Sequence, residues 1–562
     1  MRILFLTHAF NSLTQRLYVE LTALGHEISI EFDINDSVTV EAVELFKPHL
    51  ILAPYLRRAI PEVVWRKHVC LIVHPGIVGD RGPSALDWAI LNGEMEWGVT
   101  VLQAEAEMDA GPVWASETFP MRAAKKSSLY RNEVTEAAVR AVRAAVAQLP
   151  AYKAGDWQPR AVAQRPMHAL IRHSDRAIDW TRDSSASVLA KFNCADGFPG
   201  LRDSLFGRVC QLYNARPFPG HGAPGEILGR AMEGVVRATV DGAVWIGHAK
   251  HLDGGIKLPV TAAFPEAAEL ADLDGVSLDI RYEEAGPVGY LHFEFYNGAM
   301  GTTACERLLA ALEAAKRRPT RIIVLMGGDD FFSNGLDLNR IEASASPPDE
   351  SWRNINAMDD LCRAILNADS HLTVSALRGN AGAGGAFLAL AADTVWARRG
   401  VILNPHYKNM GNLYGSEYWS YLLPRRVGAE QAAAIMRNRL PLGTEQAAGL
   451  GFLDEAFGDD LPGFEAEVRR RAQALAAAPD FAARLEAKRH RRAEDEAGKP
   501  LESYRAEELK HMQRNFYGFD PSYHVARHHF VRKTPHSWTP RHLAIHRELG
   551  WVVPVDSGEV SG

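Results

Sequence analysis

Residues 378–393 read RGNAGAGGAFLALAAD, a glycine-rich turn that runs into small apolar residues at helical spacing and stops at an acid. Upstream, residues 321–340, RIIVLMGGDDFFSNGLDLNR, give a buried strand, a turn and a helix start. Two strand-to-helix passages in succession predict an α/β unit, whose turns gather at the carboxyl ends of the strands. Phe387 takes the first inward-facing position of the glycine-led helix, so the nature of that one side chain decides what the turn can do.

The rest of the chain divides around this unit. Over the first 150 or so residues, short apolar runs (RILFLT, EISIEF, HLILAPY, VCLIVH) alternate with helical patterns (SLTQRLYVELTALG, VEAVELFK), the rhythm of a doubly wound parallel sheet. The turn after the first run, THAFNSLTQ, lacks G-x-G-x-x-G, which disfavours a dinucleotide. Beyond a linker at 154–160, KFNCADGFPGLRDSLFGRVCQLYNA and GEILGRAMEGVVRATVDGAVWIGHAK read as short strands with glycine-containing turns, predicting a small OB-like β-barrel. The expected domains are therefore 1–155 (doubly wound α/β), 165–258 (barrel), 275–465 (second α/β) and 466–562 (helical extension).

Bulk properties exclude several function classes. The chain has 562 residues, 47% of them hydrophobic, and 62 Lys and Arg against 69 Asp and Glu give a net charge of -7, no field for nucleic acid. Cys70, Cys194, Cys210, Cys305 and Cys362 are scattered without a C-x-x-C, which points to a reducing, cytoplasmic setting rather than a disulfide or zinc framework. The start, MRILFLTHAF, lacks a charged leader pattern, and no stretch approaches about 18 apolar residues, so no membrane role is expected. KRHRR at 488–492 reads as a solvated helix face, and the spacing of His524, His528, His529, His536, His542 and His546 is too irregular for a metal site.

His74 closes the run VCLIVH, at the strand end where a catalytic imidazole is useful, and Asp109 lies in a turn fixed by Gly111 and Pro112. An Asp and a His meeting in a cleft can set a tautomer and tune a proton transfer. The arrangement of His74, RGPSALDWAILNG (81–93) and GVTVLQAEAEMDAGP resembles the 10-formyltetrahydrofolate-dependent formyltransferases over about 1–150, and IDWTRDSSASVLAKFNCADGFPG resembles their C-terminal subdomain. The resemblance implies catalytic roles for His74 and Asp109 and a folate-site loop of Arg81, Gly82, Pro83 and Ser84. It also marks a departure: the family's asparagine two residues before the histidine is here Ile72, which donates no hydrogen bond.

The segments 321–340 and 378–393 together are similar to the crotonase (enoyl-CoA hydratase/isomerase) family over about 286–460. That resemblance implies an oxyanion hole for a thioester carbonyl, formed by the backbone N–H groups of Leu336 and Gly384. Phe387 then falls where a hydratase has a glutamate, and hydration of an enoyl double bond, which needs carboxylates, is not expected. A dry pocket is, with Tyr407, Tyr414 and Glu417 of PHYKNMGNLYGSEYWSY as its polar groups and Tyr407 and Glu417 as the catalytic pair.

The union of the two halves, with a tail containing KPLESYR and DPSYHVARHHFVRK, makes the full chain resemble the HoxX (HypX) family of hydrogenase maturation proteins. This implies that a one-carbon unit from 10-formyltetrahydrofolate passes to coenzyme A and leaves as carbon monoxide for the iron of [NiFe]-hydrogenase, with the maturation machinery as partner. Formyl-CoA has no α-carbon, so the missing hydratase acids are not required. The alternatives are a formyltransferase fused to an acyl-CoA hydrolase or isomerase, and a non-catalytic maturation chaperone.

Overall fold

The computed structural model describes residues 1–163, 165, 167–273 and 279–547. The first sheet comprises β1 (Arg2–Thr7), β2 (Glu27–Phe32), β3 (Leu50–Tyr55), β4 (Cys70–His74), β5 (Glu96–Gln103) and β6 (Val113–Pro120), in the order β2-β1-β3-β4-β5-β6. The first four strands are parallel and the last two antiparallel, a change of direction that the apolar rhythm did not distinguish. β1 is buried along nearly its whole length because both faces are covered: helices Ser12–Ala23 and Thr135–Ala154 pack on one, Asp36–Phe46 on the other. β4, at the change of direction, carries His74 at its carboxyl end.

The second body is an antiparallel sheet of strands between Leu201 and Pro259. The strand expected from Lys191 is corrected: 191–195 ends the helix Ser185–Ala195, which is capped by the Ser184 hydroxyl accepting from the Ser187 N–H, and only from Leu201 does the chain extend. Val188, Phe192 and Ala195 form its buried stripe at helical spacing.

The third body has a six-stranded sheet in which Ile280–Ala285 runs antiparallel to Val288–Phe293, followed by parallel Ile322–Met326, Leu372–Leu377, Thr394–Arg398 and Glu455–Phe457. A smaller sheet of Phe331–Ser333, Asn380–Gly382, Ile402–Asn404 and Leu442–Gly443 lies beyond the carboxyl ends of these strands and carries the glycine-rich turns. Helices Leu461–Ala477, Phe481–Gly498, Leu501–Tyr517 and Ser522–Arg532 complete the chain's helical end. Arg489, His490 and Arg491 of KRHRR are exposed, as expected of a solvated face, and Lys488 departs from it: it is buried, donating to Asp393 Oδ2 at 2.7 Å and to the His371 carbonyl at 2.8 Å. Its four-carbon stem lets a charge reach an internal carboxylate from a largely exposed helix.

The first and third bodies share a polar seam. Arg16 donates to the Gly400 carbonyl at 2.8 Å, Arg398 reaches Glu136 and Asn132, and Arg131 pairs with Asp330. Leu543 returns to the first sheet, where the Ile30 N–H of β2 donates to its carbonyl at 2.9 Å. Among the described residues no helix is long and apolar enough to cross a membrane.

Candidate functional sites

The first cluster forms where β4 ends. His74 is 5% exposed, and its Nε2 lies 2.9 Å from Oδ2 of Asp80, while its Nδ1 is 3.8 Å from Oδ2 of Asp109. The imidazole thus stands between two carboxylates, of which Asp80 is the closer. Gly76 makes the closer pair possible: a Cβ there would stand 2.4 Å from His74 Nε2 and 2.6 Å from Asp80 Oδ2. Asp109 occupies a left-handed conformation (φ 52°) and accepts from the Gly82 N–H at 3.1 Å, which ties it to the 81–84 loop. Within that loop Arg81 pairs with Glu107 at 2.6 Å, and Gly82 (φ 100°), Pro83 and Ser84 (φ 69°) make the turn, Ser84 leading into helix Ala85–Leu91. Ile72 is half-buried in β4 and offers no donor.

The second cluster forms between the small sheet and the C-terminal helices. The turns of Gly335 and Gly384 touch, since a Cβ on Gly335 would be 3.3 Å from Gly384 N. The backbone N–H groups of Leu336 and Gly384 make no hydrogen bond among the described residues, as donors reserved for a ligand would. Ala383, between the turn and the helix, has φ 47° and ψ -130°. Glu417 and Tyr418 are consecutive left-handed residues at φ 60° and 58°. Such conformations cost on the order of 1–3 kcal/mol each and persist where the surroundings impose them. Here they aim the carboxyl group of Glu417 at the α-carbon of Gly384.

Phe387 and Tyr407 are both buried and stack face to face. The Tyr407 hydroxyl donates to Glu417 Oε2 at 2.5 Å. Burial, the largest cause, pushes the phenol well above its ordinary range, so it stays protonated and donates to the Glu417 carboxyl group. Phe387, Tyr407, Glu417 and Gly384 therefore gather as a group. Tyr414 packs elsewhere: its ring stacks on His511 at 4.1 Å and its N–H donates to Asn515 Oδ1.

Sequence profiles agree with the two halves: the one described as Formyl transferase matches residues 31–146, and Enoyl-CoA hydratase/isomerase matches 294–540. Hydrogenase maturation factor HoxX of Bradyrhizobium diazoefficiens is 55% identical over 552 residues, 97% of each chain. The chain belongs to the HoxX/HypX family of hydrogenase maturation factors. HypX from Aquifex aeolicus, solved in complex with tetrahydrofolic acid, superimposes with a TM-score of 0.95 at 47% identity, covering 98% of this chain and 100% of that one. The methionyl-tRNA formyltransferase of Dechloromonas aromatica is 25% identical over 43% of this chain and 78% of its own. The expected fold, a doubly wound formyltransferase domain, a small barrel and a crotonase-like domain with a helical tail, is that of the HoxX/HypX family.

Four polar residues of this HoxX/HypX chain escaped the sequence reading. Asp80 hides in the turn GIVGD, where an acid reads as ordinary turn chemistry. Asp359, Ser416 and Glu508 surround Glu417 but come from two helices and a loop, and only the fold brings them together.

Proposed function

We propose that the chain supplies carbon monoxide to the active-site iron of [NiFe]-hydrogenase by moving a formyl group from 10-formyltetrahydrofolate to coenzyme A and then decarbonylating formyl-CoA. Both compounds are substrates. In the first step the thiol sulfur attacks the formyl carbon, and His74, oriented by Asp80 and Asp109, takes the thiol proton and returns one to the leaving tetrahydrofolate nitrogen. Arg81, Gly82, Pro83 and Ser84 line the folate side of this cluster. Lys125 and Lys257 fit the phosphates of coenzyme A: both are half-buried, bonded only to neutral groups (Asn214 for the first, the Gly197 carbonyl and the Tyr296 hydroxyl for the second), and neither makes an ion pair among the described residues. Burial, the main cause, lowers the Lys257 amine to about 8, and a neighbouring anion would raise it again.

In the second step the thioester carbonyl accepts from Leu336 and Gly384 while Glu417, assisted by Tyr407, handles the formyl proton. The products are carbon monoxide and free coenzyme A. The observation that carries this proposal is the Tyr407–Glu417 pair set beside two unused N–H donors, with Phe387 where a hydratase needs a carboxylate. The test is carbon monoxide release, followed as the spectral shift of deoxyhaemoglobin, from protein given 10-formyltetrahydrofolate and coenzyme A. Loss of the signal in both His74→Ala and Glu417→Gln supports both steps. Formate in place of carbon monoxide would make the second half a hydrolase.

A further inference from the structure

Glu417 belongs to a larger buried group. Its N–H donates to Asp359 Oδ1 at 2.8 Å, and the Ser416 hydroxyl lies 2.9 Å from each Asp359 oxygen and 3.3 Å from Glu508 Oε2. Asp359 comes from helix Pro347–Leu366 and Glu508 from helix Leu501–Tyr517, and all three carboxyl groups are at most 1% exposed. Three acids so close and so dry do not all ionise.

Hydrogen-bond donors decide where the negative charge stays. Glu508 receives the N–H groups of Tyr418 (3.0 Å) and Ser420 (2.8 Å) and the Ser420 hydroxyl (2.5 Å). Asp359 receives the Glu417 N–H and the Ser416 hydroxyl, with Arg505 Nε 3.7 Å away. Glu417 receives only the Tyr407 hydroxyl and, at 3.3 Å, the Ser416 N–H, both on Oε2. No hydrogen bond reaches its Oε1 among the described residues, and that oxygen sits over the α-carbon of Gly384, where a Cβ would be 2.1 Å from it.

We propose that Asp359 and Glu508 are positioning residues that hold Glu417 as a neutral carboxylic acid, its proton on Oε1 facing the thioester. The inference rests on the decarbonylation proposed above and gives Glu417 an order of events. Its proton passes to the thioester sulfur as the C–S bond breaks. The electron-poor formyl carbon then yields its own proton to the new carboxylate, and the C–H electron pair becomes the lone pair of carbon monoxide. One C–S and one C–H bond break, one S–H bond forms, and Glu417 ends protonated as it began, with no oxidant or reductant needed.

Burial lifts Asp359 to about 7 and Glu508 to about 8 as well, so the donors on those two carboxyl groups decide that Glu417 keeps the proton; burial and then the charge of Asp359 hold the Glu417 carboxyl up at about 8. The other ionisable groups facing it are Cys362 beside Asp359 on the same helix, Cys305 on helix Thr302–Ala315, Tyr407, Tyr418 and, on the Glu508 helix, Arg505. Because the acid form is the working form, activity is full below this value and falls as pH rises through it.

The test is infrared difference spectroscopy of the full-length protein, reading the carbonyl stretch of a protonated carboxyl group and its shift in D2O. The wild type is expected to show such a band at neutral pH that disappears in Glu417→Gln. In Glu508→Gln the band should titrate away roughly one to three pH units lower, because a repelling charge is gone. Asp359→Asn makes the same test through the other helix should Glu508→Gln not fold. Absence of the band, its survival in Glu417→Gln, or an unmoved midpoint in both charge-removing variants overturns the proposal. Carbon monoxide release from supplied formyl-CoA is measured in parallel: a correct band with no carbon monoxide at any pH rejects the reaction and leaves the proton where it has been placed.

Discussion

Phe387 stacks on Tyr407 with ring centroids 5.5 Å apart and planes 15° from parallel. The stack fills a fully buried space and fixes the phenol that donates to Glu417. Phe387→Ala is expected to lower stability by about 3–5 kcal/mol, from lost burial plus the cavity left behind. Denaturant unfolding measures that, and release of carbon monoxide from supplied formyl-CoA should fall further than the stability loss accounts for, because the tyrosine is no longer held.

Tyr407→Phe keeps the stack and removes only the hydroxyl. Its rate of carbon monoxide release should drop by about 10²-fold or more, a size usual for a proton-transfer group, with tetrahydrofolate formation unchanged. A parallel loss of tetrahydrofolate formation would mean the two clusters do not work separately.

The two carboxylates flanking His74 differ in reach, at 2.9 Å and 3.8 Å. Asp80→Asn is therefore expected to disturb the imidazole tautomer in the resting protein, visible as changed ring nitrogen shifts by NMR. Asp109→Asn should leave those shifts nearly in place. Each should slow tetrahydrofolate formation by roughly 10²–10⁴-fold.

Gly384→Ala inserts a methyl group where the Glu417 carboxyl already sits. The expected result is accumulation of formyl-CoA, detected by chromatography, with tetrahydrofolate formed at the normal rate. Gly449→Ala is the contrast: nothing lies within 4 Å of the added carbon, and the residue sits in a helix where alanine is welcome.

Glu31 of β2 is buried, and burial alone would raise its carboxyl. Hydrogen bonds from His546, Thr539 and Arg547 outweigh that and hold it below the ordinary value. A depressed carboxyl contributes stability that is present above the unfolded value, about 4.3, and is lost as pH falls through the folded one. Unfolding midpoints of the wild type should fall across that acid window, and Glu31→Gln should be less stable at neutral pH with a flatter acid limb.

The sequence made the strand ends legible because period and punctuation are local properties. VCLIVH placed His74 and the glycine-led helix placed Gly384 and Phe387, each within a dozen residues of chain. It did not show Asp359 or Glu508, since each is one acid on an amphipathic helix, where acids are ordinary, and their partner Glu417 lies 58 and 91 positions away. Lys488 was misjudged for the same reason: a basic run looks solvated until the helix's rotation against Asp393 is known. The end of helix Ser185–Ala195, from Lys191, was read as strand because the Gly and Pro that follow it resemble hairpin punctuation.

The contact between β2 and the segment around Leu543 has a bearing on how the protein is made. The Phe32 N–H donates to the Thr539 hydroxyl across a sequence separation of 507 residues. A nascent chain at about 5–20 residues per second has its first sheet ready, with an unpaired edge, for at least tens of seconds before that cover emerges. The newborn protein is thus most exposed to wrong pairing while its later domains are still being translated, and the closing segment acts as a seal applied last.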